Sequence, residues 1–232
     1  MPARSSSPRT ASRVIRIAVD VALFTPQGNA LSVLVLPSAS GRARSRDRWA
    51  LPSGSLHGAH TLEDTAARIA HSALGTAPSF VDHALTTTAS GTPEQRTDVT
   101  ITYFGLVPRA PTAPRNRATW IPTTDLGGLP AAHNTAISAA LAAMRARLDH
   151  QPIAFRLLPL AFTLSELQSV YELLLGRRLH KASFRRTLHE SALVEATDEW
   201  RSEGRGRPAQ LFRYTPPRRR RQRRGVRFDL LS

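Results

Sequence analysis

Apolar and polar positions alternate over residues 16–24, rich in Ile and Val, which predicts a strand; the apolar run 31–36 predicts a second. Pro26, Gln27, Gly28 and Asn29 separate the two, so the pair reads as a hairpin. Residues 38–48 form a polar, arginine-rich loop. From Thr61 the period becomes helical. Leu62, Ala66, Ile69 and Ala73 share one face, Thr61 and Asp64 are spaced as a cap, and Gly75 ends the helix. Residues 99–107 predict another strand, 108–114 a proline-rich loop, and 120–122 a short final strand. An alanine-rich helix over 133–148 carries Ile137, Leu141, Met144 and Leu148 at helical spacing. Strands, a central helix, more strands and a closing helix predict an α+β fold, an α/β/α sandwich over residues 14–150.

A second pattern follows. Gln151-Pro152 and Leu158-Pro159 punctuate a connector. Thr163 and Glu166 form a capping box, and Leu164, Leu167, Tyr171 and Leu174 make a stripe that stops at Gly176. A turn over 177–180 leads to a second helix, 181–193, with Phe184, Leu188 and Ala192 expected to face inward. Strand candidates at 193–196 and 210–214 flank a basic, glycine-containing loop, 203–208. Helix, turn, helix, strand, basic loop, strand is the order of a winged helix-turn-helix, here placed at 151–215.

At 232 residues the chain can hold one large domain or two modest ones, each big enough for its own core. No apolar run approaches the 18 or so residues of a membrane span. Residues 1–13 are basic and serine-rich without an apolar segment, and are expected to be a disordered leader rather than a secretory signal. There are 0 cysteines, which excludes disulfides, thiolate nucleophiles and zinc–thiolate sites and fits a cytoplasmic location. The formal net charge is +15, carried by arginine apart from Lys181. Residues 151–232 hold 17 basic against 8 acidic side chains, and residues 1–150 hold 15 against 9. Arginine's planar fork suits phosphate oxygens, so nucleic acid is the indicated partner class, although a genome favouring arginine codons would produce the same excess. The arginine-rich tail at 216–232 lacks base-reading geometry and is expected to add salt-sensitive phosphate affinity at most.

The DNA-reading candidates lie on the helix at 181–193. Lys181, Arg185, Arg186 and His189 fall away from the Phe184/Leu188 face, and Lys181, Ser183 and Arg185 sit at its N-terminal end, where a recognition helix meets base edges. Arg205 and Arg207, bounded by glycines, are placed to enter a neighbouring minor groove. The competing reading of such a helix face is a solvated surface. Its agreement with the capped helix before it and the basic loop after it favours DNA.

The other motif runs from Gly54 to Gly75. It resembles a Nudix box, whose pattern is a glycine, five residues, a glutamate, seven residues, then Arg-Glu-apolar-x-Glu-Glu-x-Gly. Laid on Gly54 the frame meets Arg68 and Gly75, but the glutamate positions hold His60, Ile69, Ser72 and Ala73. Pyrophosphate hydrolysis in that family uses Mg²⁺ held by carboxylate oxygens, and Ile69 and Ala73 have no side-chain oxygen. No catalytic residue, metal or cofactor is therefore expected. Backbone amides after Gly54 would present donors to a diphosphate without metal. Arg48 (with Arg44 and Arg46), Arg68 and Arg96 are candidate phosphate contacts, each also readable as an ordinary surface arginine. His57, His60 and His71 lack a completing carboxylate or cysteine, and Glu63 and Asp64 supply charge to the first helical turn.

Together the halves resemble the Nudix-related transcriptional regulators of the NrtR type, in which a Nudix-like domain precedes a winged helix. The stretches that carry the likeness are residues 162–172, 181–188 and 206–214, with Trp49-Ala50-Leu51-Pro52. The resemblance implies a homodimer that binds double-stranded operator DNA, responds to ADP-ribose or a related sugar nucleotide, and controls NAD or sugar metabolism genes, more often as a repressor. Two departures stand out: Ser53-Gly54 replaces the usual Gly-Gly, and Ala132 replaces the acidic residue often found before the late histidine, His133. The rival readings are an active hydrolase with displaced ligands at Glu63, Asp64 or Glu94, a general nucleic-acid binder acting through charge, and an N-terminal domain kept only for dimerisation.

Overall fold

The structure is a computed structural model that describes residues 14–38, 47–90, 96–108, 110, 115–202 and 208–216. Its organising element is β1, Val14–Gln27. Along one edge β1 runs parallel to β6, Arg96–Leu106, from Val14↔Arg96 to Phe24↔Leu106. The other edge is shared. β4, Ser53–Ser55, pairs at Ala18–Asp20, and β2, Ala30–Pro37, pairs at Phe24–Gln27 across the Gly28-Asn29 turn. β2 continues to β3, Trp49–Ala50, and β7, Thr119–Pro122, while β5, Phe80–Ser90, covers the outer edge of β6.

The strand period of two sends alternate β1 side chains to opposite faces. Val19, Val21 and Leu23 join Ala66, Ile69 and Ala73 of α1, Leu62–Leu74; Ala22 and Phe24 join Ile137 and Met144 of α2, Ala131–Leu148. Leu141, at helical spacing with them, is only half-buried. The predicted α+β sandwich is thus realised, with α1 and α2 on opposite faces of the sheet.

The second cluster does not stop at α2. It continues through Phe155, Phe162, Leu167, Tyr171, Phe184 and Leu188, so both halves share one apolar core. The expected connector contains a 3-10 helix, Ile153–Leu157, that buries Ile153, Ala154, Phe155 and Leu157 at the junction. A run this short has no helical period to recognise. α3, Leu164–Leu175, and α4, Lys181–Ser191, then lead into the ribbon of β8, Val194–Arg201, and β9, Ala209–Tyr214. A bridge from Phe162 to Phe212 adds a third backbone to the ribbon, and Phe155 packs on Phe162 and Tyr214.

Three sequence readings need correction. β5 was not predicted, because Thr86, Thr87 and Thr88 are exposed on this edge strand and leave no apolar alternation. β8 runs past Ala196 to Arg201, where Glu195, Asp198 and Glu199 are exposed to water and carry no burial penalty. Ala192 does not face inward. It is exposed, takes φ 52° and ends α4 at Ser191.

Candidate nucleic-acid interface and effector loop

α3 starts at a complete capping box: Thr163 Oγ1 accepts the Glu166 amide proton at 3.1 Å, and Glu166 Oε2 accepts that of Thr163 at 2.7 Å. Tyr171 meets Phe184 edge-on, with ring centroids 5.7 Å apart, which fixes α4 against α3. Between the helices the turn is braced by one carboxylate. Glu172 Oε1 accepts from the Leu179 amide at 2.9 Å and from Gln168 Nε2 at 3.0 Å, while Glu172 Oε2 accepts from Arg178 Nη1 at 2.9 Å. Burial pushes this carboxyl up, but those three donors outweigh it and hold its pKa below the ordinary value.

With Phe184 and Leu188 buried, α4 turns Lys181, Arg185, Arg186 and His189 to solvent. None of the four has a carboxylate partner among the described residues. Ser183 is half-buried at the helix start, with Oγ 3.3 Å from His180 Nδ1. The ribbon behind is different: Arg201 is paired with Glu166 at 2.7 Å and Arg213 with Glu199 at 3.0 Å. Between α4 and the described part of the ribbon, it is α4 that leaves its positive charge open to a phosphate. Arg205, Arg207 and the tail at 217–232 lie outside the described residues.

At the Nudix-like motif, Gly54 belongs to β4 and pairs with Val19. A Cβ there would stand 3.1 Å from Ile69 Cδ1, so α1 is seated directly on the strand. Ile69 and Ala73 are buried in the aliphatic cluster, whereas His60 and Ser72 are exposed. Two of the positions that the Nudix pattern gives to glutamate thus point into hydrocarbon, and the set does not fit a magnesium ion. The other acidic candidates are engaged elsewhere. Glu63 Oε1 accepts from Tyr103 Oη at 3.0 Å, and burial together with that bond pushes the Tyr103 phenol up to about 12. Asp64 Oδ2 accepts from the Thr61 amide at 3.4 Å. Glu94 is outside the described residues. Among the described residues no three His, Asp or Glu side chains gather in a way that could hold a metal ion, and His57, His60 and His71 are each exposed.

Part of the amide cradle expected after Gly54 is taken up within the protein. The Leu56 amide donates to Ile17 O, the Asp64 and Thr65 amides donate to Thr61, and Glu63 and Asp64 place negative charge at the helix start. Arg48 is exposed just ahead of β3, and Arg68 is exposed on α1 beside Ile69. Arg96 pairs with Val14 and Gly54 with Val19, a separation along β1 of roughly 16 Å at the strand rise. The backbone of Arg96 is thus set apart from Gly54 along β1.

The structure also shows contacts with no local signal in the sequence. Asp20 is only 8% exposed, and His133 Nε2 lies 4.0 Å from its Oδ2. His133 Nδ1 accepts the Leu51 amide proton at 3.2 Å, so a neutral ring carries its proton on Nε2, toward Asp20. Further along α2, Arg147 bonds Asp82 and the His83 carbonyl and lies over the Phe104 ring, while Arg145 Nε donates to Leu174 O of α3 at 3.1 Å.

Residues 154–214 match the model of the NrtR DNA-binding winged helix domain. Over 204 residues, 84% of this chain and 80% of the relative, the sequence is 28% identical to the ADPR responsive transcriptional repressor NtrR of Acinetobacter baylyi. The crystal structure of Shewanella oneidensis NrtR complexed with a 27mer DNA superposes with a TM-score of 0.71 at 26% identity, covering 86% of this chain and 93% of that one. A MutT/nudix family protein from Enterococcus faecalis superposes at 0.68 with 17% identity, over 88% and 89% of the two chains, which shows a shared fold.

Proposed function

We propose that this chain is an NrtR-type regulator, a Nudix-like domain joined to a winged helix, and that it is a DNA-binding transcriptional repressor whose Nudix-like domain senses ADP-ribose. The observation that carries the reading is the exposed basic face of α4, without a carboxylate partner among the described residues, set on a helix-turn-helix whose turn is braced by Glu172. The Acinetobacter baylyi relative is named as ADPR responsive, and the Shewanella oneidensis NrtR crystals contain DNA, which supports both halves of the proposal.

In this reading residues 14–150 sense and residues 151–215 read. Lys181, Arg185, Arg186 and His189 meet base edges or phosphates, Ser183 lies at the helix start, and Arg205 and Arg207 extend the contact from the wing. Two copies form a homodimer that presents its recognition helices to successive major grooves. The protein acts in the cytoplasm, where operator DNA is found. The Nudix-like domain hydrolyses nothing: a helix that buries Ile69 and Ala73 has no carboxylate to give a metal at those positions. Arg48, at the Gly54 end of the sheet, is the best placed of the candidate effector contacts. Control is by linkage, and ADP-ribose shifts DNA affinity only by its differential affinity for the two arrangements of the protein.

Fluorescence anisotropy with labelled duplex from the gene's own upstream region, at about 0.15 M salt, tests the proposal. Saturable binding that prefers this duplex over a random one, and weakens with ADP-ribose, is expected. Equal affinity for both duplexes with parallel loss in salt would overturn it in favour of a charge-driven nucleic-acid binder.

A further inference from the structure

We infer that α2 carries the effector signal to the DNA reader and that Arg145 is the residue through which it positions the recognition helix. The inference rests on the function proposed above. α2 touches both regions that must communicate. In its first turn His133 accepts the Leu51 amide proton at 3.2 Å, immediately before Pro52, Ser53 and Gly54. About 18 Å further along the same helix, at the α-helical rise, Arg145 Nε donates to Leu174 O at 3.1 Å.

Leu174 lies in the last turn of α3, where carbonyls lack intrahelical partners and the helix dipole favours a cation. Gly176 follows in the left-handed region, φ 71°, and a Cβ there would stand 2.9 Å from Arg145 Nη2. The glycine meets the demand of the backbone turn, and the Arg145 guanidinium lies directly beside it. From Gly176 the chain enters the turn that Glu172 braces through Leu179 and Arg178, and α4 begins directly after it. A shift of α2 against α3 thus reaches α4 through one guanidinium and one stiff turn.

α2 also shares with α3 and α4 the apolar core that joins the two halves. α2 is bound firmly to the sheet by Ile137 and Met144 and by Arg147 on Asp82 and His83 O. On the α3 side a cleft of about 600 Å³ opens beside Arg145, between the Gly28-Asn29 turn, Thr123 and the Ser169/Leu173 face of α3. A helix held to the sensor along one side and tied across a cleft to the reader is a contiguous physical element that both sites can bias.

The test measures operator affinity by anisotropy, with and without saturating ADP-ribose, for the full-length wild type, Arg145→Ala and Arg145→Lys. ADP-ribose binding to each is read separately by calorimetry. The wild-type ratio of the two DNA affinities is expected in the range of about 5- to 150-fold typical of coupled sites. Arg145→Ala should bind ADP-ribose as the wild type does while its ratio falls toward one. Arg145→Lys, which keeps a charge near the α3 carbonyls but loses the planar fork, should lie between them. A full ratio in Arg145→Ala overturns the inference. If that variant fails to bind DNA at all, Arg145→Lys decides, and a wild-type ratio in it overturns the inference equally. A wild-type ratio of one sinks the function reading and this inference with it; a wild-type ratio preserved in the variants sinks this inference alone.

Discussion

Ile69→Glu would return a carboxylate to a position that the Nudix pattern gives to glutamate, at a place this fold has filled with hydrocarbon. Ile69 is 6% exposed and packs over Gly54, in one cluster with Val19, Val21 and Leu23. Removing the buried isoleucine costs about 1.5–3 kcal/mol of transfer free energy. An uncharged carboxyl left there without a donor adds roughly 1–3 kcal/mol. The sum, about 2.5–6 kcal/mol, should lower Tm by roughly 5–24 °C in a chain of this length. Burial raises the folded pKa of the introduced carboxyl above its unfolded value of about 4.3, so the folded state binds the extra proton. Stability is then lost as pH rises through that window, and the Tm deficit should be larger at about pH 8 than at about pH 5. Calorimetric melts at both pH values, with and without Mg²⁺, make the measurement. A Tm within about 2 °C of wild type, or a recovery with Mg²⁺, would show that position 69 opens onto a polar site and would refute the packing argument.

Other consequences are as direct. Arg185→Ala should weaken operator binding by about 1–3 kcal/mol and relax base preference at one position; unchanged affinity and preference in a binding-site selection would remove it from the reading face. Lys181→Ala should weaken operator and random duplex alike and reduce the salt slope by about 1, and a salt slope equal to the wild type's would rule out a phosphate contact. Glu172→Gln addresses the turn: a depressed carboxyl pKa contributes stability above the unfolded pKa and loses it as pH falls through the folded one. The gap in Tm between wild type and this variant should therefore close on acidification below about pH 4, and a gap that widens there would contradict the bracing role.

Much of the architecture was legible before any coordinates. The capping pair Thr61/Asp64 and the box Thr163/Glu166 both form as read, and Gly75 and Gly176 end their helices in the left-handed region. The helix-turn-helix and the outward set on α4 were visible because Phe184 and Leu188 repeat at helical spacing within a basic helix. The effector end was read less well. Gly54 suggested an open amide cradle, but β4 pairs with β1 there and Ile69 lies over it. Arg96 is a candidate phosphate contact by residue type alone, and only the pairing of β1 with β6 and β4 sets its backbone apart from Gly54.

Sequence alone determined those features whose partners lie within a few residues: caps, helix ends, the Gly28-Asn29 turn and the missing carboxylates at Ile69 and Ala73. Such interactions form within one helical turn or one hairpin, so their energetics are written in local spacing. Only the tertiary structure decided that β1 divides its edge between β4 and β2, that His133 meets Leu51 and Asp20, and that Arg145 reaches the end of α3. Those contacts join residues far apart in the chain, and their favourable terms exist only after loop closure has brought two surfaces together and removed the water between them.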